Sequence, residues 1–340
     1  MKVSYVLFEA KEKAVLITED FDPSLQPNEV LVKADYDLIS AGTELANYHD
    51  LPNTNVFGDD RGIYPRWPGY SVSGHVVSVG SAVTKFKAGD NVVVPWSGHR
   101  SWFKKEEEKL FLIPEGVSQQ EGAVAHLASF PFLGVRKLQI QLGEGVMVAG
   151  LGLLGLIAVQ LAKLSGGYPV LACDFSEERR KLALELGADH ALDPREPDFI
   201  EKVKSLTGGN GPNAVVEVTG YLSGLQQALE YIAPMGRISI LGCTRISDAP
   251  INVYRYIHGR GIQIIGAHTM TRPKQESHPG YWTEKDDYAT FMKLVKAGVL
   301  NVKPLINKIV SPRQTPEVYK ELGFSKQPPL GVLFDWTDFE

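Results

Sequence analysis

The feature that most constrains the fold is a run of closely spaced glycines between an apolar strand and an apolar helix. The run is Gly150-Leu151-Gly152-Leu153-Leu154-Gly155; it follows a predicted strand at Val146 to Ala149 and opens a helix predicted over Leu153 to Leu164. A second apolar strand is predicted at Pro169 to Cys173, and Asp174 follows it, 19 residues after Gly155. This order of strand, glycine turn, helix and acidic strand end predicts a doubly wound parallel sheet.

The glycine turn is typical of a dinucleotide-binding site. Its glycines let backbone N–H groups approach a pyrophosphate at the helix N-terminus, and the acidic residue binds the adenosine ribose hydroxyls. The carboxylate of Asp174 would repel a ribose phosphate, which favours NAD over NADP. Arg179 and Arg180 keep NADP as an alternative, because they are close enough in sequence to bind a phosphate if Asp174 turns away. The strand before the turn and the acidic residue after it weigh against glycines that only pack a strand on a helix.

The chain changes character near Gly145. The first 115 residues show short strands rich in β-branched residues and no sustained helical periodicity, at Val30 to Ala34, Ser73 to Val79 and Asn91 to Pro95. A helix is predicted around Glu121 to Val135, and after Gly145 strands and helices alternate. These later elements are expected at Glu177 to Leu186, Ala214 to Val218, Arg237 to Leu241 and Ile262 to Ile265. Beyond Ala267 the pattern is mixed, and we expect the tail to rejoin the first domain. The elements predicted there are a helix near Asp287 to Ala297, an extended segment near Ile306 to Val310 and a last strand at Gly331 to Phe334.

The ends of the later strands add cofactor candidates, because parallel strands place their carboxyl ends at one edge. Cys243 follows one such strand, and we interpret it as a small buried residue beside the cofactor rather than a reactive thiol. The complete set of candidate cofactor-binding residues is Gly150, Gly152, Leu153, Leu154, Gly155, Asp174, Arg179, Thr219, Gly242, Cys243 and Ala267.

Composition excludes several function classes. The 340 residues carry 35 Lys plus Arg against 40 Asp plus Glu, and no block of like charges suggests a nucleic-acid arm or a membrane anchor. Two cysteines are too few for a disulfide framework or a four-cysteine zinc site, which favours a reducing cytoplasm. The N-terminal residues resemble a strand rather than a signal peptide, and the most apolar stretch, Val146 to Ala162, is too short for a membrane span. We therefore expect a small-molecule substrate.

Several dispersed segments together resemble the medium-chain dehydrogenase/reductase superfamily. They are Pro68 to Gly80, Ala88 to Val92, the glycine turn, Leu186 to Asp189 and Val216 to Gly220. The resemblance implies an α/β protein with a GroES-like, mostly-β catalytic domain at residues 1–135 and 269–340 and an inserted Rossmann domain at 136–268. It also implies a homodimer, for which the strand near Ile262 to Ile265 is a candidate edge.

The zinc ligands of the alcohol dehydrogenases in this family are largely missing. Where those enzymes have a cysteine before Gly-Thr/Ser-Asp, this chain has Ala41, and where they have Gly-His-Glu it has Gly69-Tyr70-Ser71. The third ligand position falls on His126. One potential ligand cannot hold a catalytic zinc, which normally needs three protein groups. The cysteine-rich structural lobe is absent as well. The chain therefore resembles a zinc-independent member, with neither catalytic nor structural zinc.

Alcohol oxidation without zinc requires another group to take the hydroxyl proton. We hypothesise that Tyr70 and His126 occupy the vacated metal site and bind the substrate oxygen, with His126 as the better acid/base at neutral pH. Thr43 could hydrogen-bond the same oxygen or relay its proton, as the matching residue does in zinc relatives. A structural histidine and an apolar wall are the competing interpretations of His126 and Tyr70, and Glu44 is interpreted as a structural charge.

Three functions remain open. The preferred one is an NAD-dependent, zinc-independent dehydrogenase that interconverts a secondary alcohol (a sugar, polyol or cyclic alcohol) and its ketone. The alternatives are an NAD(P)H-dependent quinone or enoyl reductase and a non-catalytic, nucleotide-binding redox sensor. Asp174 and the form of the glycine turn argue against the reductase, and the retained Thr43, Tyr70 and His126 argue against the sensor.

Overall fold

A computed structural model describes residues 1–58 and 61–339. Its strands are β1 (Lys2–Ala10), β2 (Lys13–Asp20), β3 (Glu29–Leu38), β4 (Ser71–Val79), β5 (Asn91–Pro95), β6 (Trp102–Glu106), β7 (Phe111–Leu112), β8 (Val146–Ala149), β9 (Val170–Cys173), β10 (His190–Leu192), β11 (Ala214–Glu217), β12 (Arg237–Ile240), β13 (Gln263–Gly266), β14 (Lys308–Val310) and β15 (Val332–Asp335). Its α-helices are α1 (Ala41–Tyr48), α2 (Gln119–Leu138), α3 (Leu153–Leu164), α4 (Glu177–Glu185), α5 (Phe199–Leu206), α6 (Leu222–Tyr231), α7 (Glu284–Lys296) and α8 (Thr315–Phe324). Single turns of other helix types lie at Glu107–Lys109, Tyr254–His258, Thr269–Thr271, Lys303–Leu305 and Pro312–Gln314.

The chain divides into two compact units, and the first combines Met1–Leu127 with Tyr288–Glu340. Its main sheet has the strand order β14-β15-β3-β4-β5-β7, with β6 also paired to β3, while β1 and β2 form a separate hairpin. The C-terminal strand β15 runs antiparallel to β3 and places Phe334 opposite Asp37. Residues from both segments of the chain thus share one core, in which Phe8, Tyr319 and Trp336 are fully buried.

The second unit, Ala128–Asp287, contains a six-stranded parallel sheet of order β10-β9-β8-β11-β12-β13. The order reverses between β8 and β11, which is the doubly wound arrangement expected for alternating strands and helices. The central strands β8 and β11 are buried along their whole length; β8 is entirely apolar (Val146–Ala149), and β11 is apolar except for Glu217 at its end. The predicted α/β fold class is confirmed. The domain limits 1–135, 136–268 and 269–340 remain a prediction.

Local sequence signals explain where the helices of the second unit begin and end. Ser176 caps α4, since its Oγ accepts the N–H of Arg179 at 3.3 Å, and the acidic residues of the first turn face the positive end of the helix. Gly187 follows this helix with φ +106°, a left-handed conformation that favours glycine. Helix α3 begins after Gly152 and covers the predicted residues.

Helix α1 is a short element that the sequence did not predict in the mostly-β first 115 residues. It has only two turns and depends on a side chain that reaches back to its start: Glu44 Oε1 accepts the N–H of Ser40 at 2.7 Å. Periodicity does not reveal so short a helix, because a stripe of apolar residues needs several turns to become visible.

Across the described part of the chain, none of the helices combines the length and apolar character required to cross a bilayer.

Candidate active site

Each glycine of the turn after β8 has a separate steric reason. Gly150 has φ +95°, and a Cβ on it would lie 3.0 Å from the backbone nitrogen of Thr219. A Cβ on Gly155 would lie 1.9 Å from the carbonyl oxygen of Gly150, so the helix can approach the turn only without a side chain there. A Cβ on Gly152 would meet nothing within 4 Å. The space above Gly152 at the N-terminus of α3 is therefore open to a ligand, and it suits a pyrophosphate.

Asp174 lies beside this turn, as the spacing predicts. Its Oδ2 accepts the N–H of Leu151 at 2.8 Å, and its Oδ1 accepts the N–H of Ser176 at 2.9 Å. These bonds hold the carboxylate at the carboxyl end of β9, where it can accept further hydrogen bonds from ribose hydroxyls. Arg179 is half-buried in the first turn of α4, and Arg180 donates to the carbonyl oxygen of Asp174 at 2.7 Å.

The remaining cofactor candidates of the second unit follow neighbouring strands of its sheet. Thr219 comes after β11, where its N–H donates to Glu217 Oε1 at 2.9 Å. A Cβ on Gly242, after β12, would lie 2.5 Å from the nitrogen of Gly220, and Ala267, after β13, is buried. Together with the glycine turn they follow the carboxyl ends of adjacent parallel strands, which is where ligands bind in such sheets. Leu153 and Leu154 form the half-buried start of α3.

Cys243 differs from the prediction. The sequence favours a buried residue, but the side chain is exposed, because the chain leaves the sheet after β12 and residues 246–250 are exposed too.

A second group of candidates lies in the first unit, where Tyr70 and His126 are brought together. Their rings meet edge to face with centroids 5.4 Å apart, and Trp96 meets the same imidazole at 4.5 Å. His126 is completely buried on α2, whereas Tyr70 is half-buried and Trp96 is 53% exposed. Tyr70 and Trp96 therefore cover the histidine.

Hydroxyl groups hold both polar side chains of this cluster. The Tyr70 hydroxyl donates to Ser40 Oγ, and His126 Nδ1 forms a hydrogen bond with the Tyr288 hydroxyl, 162 residues further along the chain. Thr43 is half-buried on the first turn of α1, three residues after Ser40. The structure thus brings Tyr70 and His126 into contact and places Thr43 on the helix that begins after Ser40, the hydrogen-bond acceptor of Tyr70.

Trp96 has an unusual backbone for a bulky residue. Its φ is +54°, in the left-handed region, and its N–H donates to the carbonyl oxygen of Tyr70 at 3.0 Å. Such conformations cost about 1–3 kcal/mol and concentrate at functional sites. The strain turns the indole towards Tyr70 and His126.

A buried ionic cluster lies next to these loops. His99 Nδ1 is 2.8 Å from Asp37 Oδ1, and His99 Nε2 is 2.9 Å from Glu44 Oε2. Burial lowers the pKa of His99, but the two carboxylates outweigh it and raise that pKa to about 10. His99 is therefore an imidazolium at neutral pH. Tyr319 donates to Glu44, and Trp336 Nε1 donates to Asp37 Oδ2 at 2.7 Å. These bonds fit the structural role expected for Glu44.

Of the three positions that match the zinc ligands of alcohol dehydrogenases, one carries no donor atom and two carry side chains that are hydrogen-bonded to hydroxyl groups. Ala41 has no donor atom, Tyr70 donates its hydroxyl proton to Ser40, and His126 Nδ1 is bonded to Tyr288. Within residues 1–58 and 61–339, no three His, Cys, Asp or Glu side chains are grouped so that they could hold a metal ion.

Comparisons with known proteins identify the family of the chain. Residues 26–139 match the family model of the alcohol dehydrogenase GroES-like domain, and residues 154–284 match that of zinc-binding dehydrogenase. The D-guloside 3-dehydrogenase of Escherichia coli is 32% identical over 78% of this chain and 77% of that protein. The chain belongs to the medium-chain dehydrogenase/reductase superfamily. The prediction of an oxidoreductase of this family is confirmed.

Other members of the superfamily are also similar. The L-threonine 3-dehydrogenase of Pyrococcus furiosus is 30% identical over 84% of both chains. A solved structure of an Escherichia coli oxidoreductase of unknown specificity superposes with a TM-score of 0.84 at 20% identity, covering 98% of this chain and 99% of that one. The 2R,3R-butanediol dehydrogenase of Bacillus subtilis gives 0.81 at 23% identity, with the same coverage. These structures support the fold.

Sequence reasoning missed three residues that contact Tyr70 or His126. They are Ser40, Trp96 and Tyr288. Ser40 precedes the stretch that replaces the first zinc ligand, and its position before α1 was a usable signal. Trp96 directly follows a predicted strand, at a strand end where site residues are common in this chain. No local signal marks Tyr288, since its contact with His126 depends on the return of the C-terminal segment.

Proposed function

We propose that the chain is an NAD-dependent, zinc-independent dehydrogenase that interconverts a secondary alcohol of the sugar, polyol or cyclic type and its ketone. The observation that carries the proposal is the cluster of Tyr70 and His126 at positions where related enzymes hold zinc. Relatives support the substrate class, because they are named as dehydrogenases of a guloside, of threonine and of sorbitol, all of which carry secondary hydroxyls.

NAD fits the turn of the second unit. The open space at Gly152 would hold the pyrophosphate, and Asp174, which is fixed beside the turn by the N–H of Leu151, would accept hydrogen bonds from the ribose. Bound there, NAD would supply a hydride acceptor for the carbinol carbon, and the oxidation would also release the hydroxyl proton as the C=O bond forms. The residues of the chain must therefore bind the oxygen and take one proton.

We assign these two tasks by accessibility. Tyr70 is the half-buried member of the pair, so its hydroxyl meets the substrate oxygen, and Ser40 fixes its direction. His126 lies behind it, oriented by Tyr288, and accepts the proton. General acid/base catalysis by such a group contributes about 10²–10⁴-fold to the rate. Thr43 is retained in the proposal as a hydrogen-bond donor to the substrate oxygen, since the Tyr70 hydroxyl donates its own proton to Ser40.

The acid/base assignment is tested by steady-state NADH formation over neutral pH. We expect His126→Gln to lower kcat by about 10²-fold or more while leaving NADH affinity unchanged. His75→Gln is the matched control, because this histidine pairs with Asp35 at the surface of the same unit. Wild-type turnover in the His126 variant would remove the histidine from the mechanism.

The reaction class is tested with a panel of secondary alcohols, quinones and enones, each with NAD(H) and NADP(H). We expect turnover with the alcohols, a preference for NAD(H), less than stoichiometric zinc, and activity that survives a chelator. Preference for NADPH with quinones or enones would favour the reductase. Chelator-sensitive activity with stoichiometric zinc would contradict zinc independence, and cofactor binding with no turnover would favour a sensor.

We further propose a homodimer and a cytoplasmic location. Strand β13 is one of the two edge strands of the second unit's sheet, and Gln263 and Ile264 on it are exposed, so it offers backbone groups to a second copy. Both cysteines are unpaired, which suits a reducing compartment. Sedimentation of the purified chain tests the dimer.

A further inference from the structure

A second feature of the first unit is a pocket of about 760 Å³ that opens beside Tyr70. Its size lies in the range of about 300–1,000 Å³ that is typical of small-molecule sites. Tyr70 and Trp96, which cover His126, also line this pocket. The pocket therefore adjoins the proposed catalytic pair. Its volume is larger than the reacting carbinol group of a substrate would fill.

Two tryptophans dominate the wall of the pocket. Trp67 is 66% exposed and Trp96 is 53% exposed, although indoles are usually buried in the absence of a ligand or partner. The loops that carry them are joined by backbone hydrogen bonds, from Trp96 N–H to Tyr70 O at 3.0 Å and from His99 N–H to Pro68 O at 3.0 Å. The aromatic faces are thus attached to a fixed backbone, as a stacking platform requires.

The polar wall of the pocket contains opposite charges. Arg100 Nε is buried and has no hydrogen-bond partner within the described residues, and burial lowers the pKa of this guanidinium despite the opposing charge of Glu19. Tyr5 donates to Glu19 Oε2 at 3.2 Å, and Arg100 lies 5.8 Å from the centre of the Tyr5 ring. Because Arg100 lines the pocket, the other N–H groups of its guanidinium can donate to a ligand that supplies an acceptor.

The chemistry of the two walls selects one ligand class. Aromatic faces bind the C–H faces of a sugar ring, and a guanidinium next to a carboxylate offers both donors and acceptors to its hydroxyls. A purely apolar ligand would leave Arg100 unsatisfied, and Glu19 disfavours an anion such as a sugar phosphate. We propose that this pocket is a subsite for a second, neutral sugar ring of a glycoside, whose reacting ring is bound at Tyr70 and His126. The inference rests on the proposed function for the identity of the reacting ring.

The test measures equilibrium binding by calorimetry to the full chain without cofactor, so it needs no turnover. The probes are cellobiose, lactose and maltose, with methyl β-D-glucopyranoside as the single-ring reference. We expect at least one disaccharide to bind tighter than the reference, and Trp67→Ala to weaken that binding by about tenfold, equivalent to about 1.4 kcal/mol. Binding of the single-ring reference should change less than twofold.

Two further variants separate stacking from a general effect on folding. Trp67→Phe keeps an aromatic face and should retain disaccharide affinity within about threefold of the wild type. Phe57→Ala removes an aromatic side chain of the same unit that is 79% exposed and does not line the pocket, so disaccharide affinity should not change. Arg100→Gln should also weaken disaccharide binding.

Three results would overturn the subsite. They are disaccharides that bind no tighter than the single ring, an equal loss for both ligands in Trp67→Ala, and glucose 6-phosphate that binds tighter than every disaccharide. Its failure is distinguishable from that of the proposed function. If the chain oxidises no alcohol but binds a disaccharide in a Trp67-dependent way, only the proposed function is wrong. If it oxidises alcohols but its disaccharide binding does not depend on Trp67, only the subsite is wrong.

Discussion

The buried ionic cluster of Asp37, His99 and Glu44 gives the sharpest prediction for stability. His99→Gln removes the only positive member and leaves two carboxylates buried without a cation. Breaking a buried pair in this way typically costs about 3–5 kcal/mol. The difference between a pKa of 6.5 and one of about 10 corresponds to an upper limit of about 5 kcal/mol, so the two estimates agree.

The sign of the pH dependence follows from the raised pKa of His99. A folded pKa above the unfolded value means that the folded chain holds the proton more tightly. Its stabilisation is fully present below pH 6.5 and is lost as the pH rises from there through about 10. We therefore expect the wild type to lose stability over this range, and His99→Gln to be less stable at neutral pH with a flatter profile.

The assay is urea unfolding at pH 6.5, 8 and 10, followed by tryptophan fluorescence. Trp336 reports on the first unit, because it is completely buried and donates to Asp37. At about 2–4 °C per kcal/mol, the His99→Gln variant should also melt about 10 °C lower near neutral pH. The double variant His99→Gln, Glu44→Gln removes one unpaired charge and should recover part of the loss. A single variant within about 1 kcal/mol of the wild type at pH 6.5 would refute the reasoning.

Three further predictions concern steric and electrostatic details of the sites. Gly155→Ala should destabilise the second unit by at least about 1–3 kcal/mol, measured by calorimetry, because its Cβ meets the Gly150 carbonyl at 1.9 Å. Gly152→Ala is the matched contrast: it should melt as the wild type does and bind NADH at least tenfold more weakly by fluorescence titration, and unchanged affinity would place the pyrophosphate elsewhere. Asp174→Ala should reduce the preference for NAD over NADP by about tenfold or more in kcat/KM, since a carboxylate that repels a ribose phosphate is removed; an undiminished preference would show that Asp174 does not read the ribose. Gly69→Ala should lower the melting temperature of the first unit, because φ is +92° and its Cβ would lie 2.5 Å from the His99 ring; a wild-type melting temperature would mean that this loop is free to move.

The second unit was largely predictable because its signals are local. The glycine turn fixes the end of β8 and the start of α3, and Ser176 and Gly187 delimit α4 without any distant contact. The predicted spacing placed Asp174 beside the turn, where it now bonds Leu151. Each of these features depends on residues that are close together in the sequence, at most one strand and one helix apart.

The first unit was less predictable because its contacts are distant in sequence. Tyr70 and His126 were found by comparing zinc-ligand positions, but no pattern in the chain shows that Trp96 turns a left-handed backbone towards them. Likewise, no local pattern marks His99, and only the fold shows that it joins carboxylates from β3 and α1. The positions of these side chains depend on packing between segments that are far apart in sequence, and no local sequence pattern predicts that packing.

The pairing of β15 with β3 determines the order in which the two units can complete their folding during synthesis. The second unit is one continuous segment, so all of its residues are available for folding once residue 287 has left the ribosome. The core of the first unit cannot form until Phe334 and Trp336 have also been synthesised. Until then the nascent chain presents β3 with a vacant neighbour and an unfilled apolar interior, the surfaces that chaperones bind and that lead to aggregation. A chain whose synthesis stops shortly before β15 would therefore contain a folded second unit and a first unit whose sheet and core are incomplete.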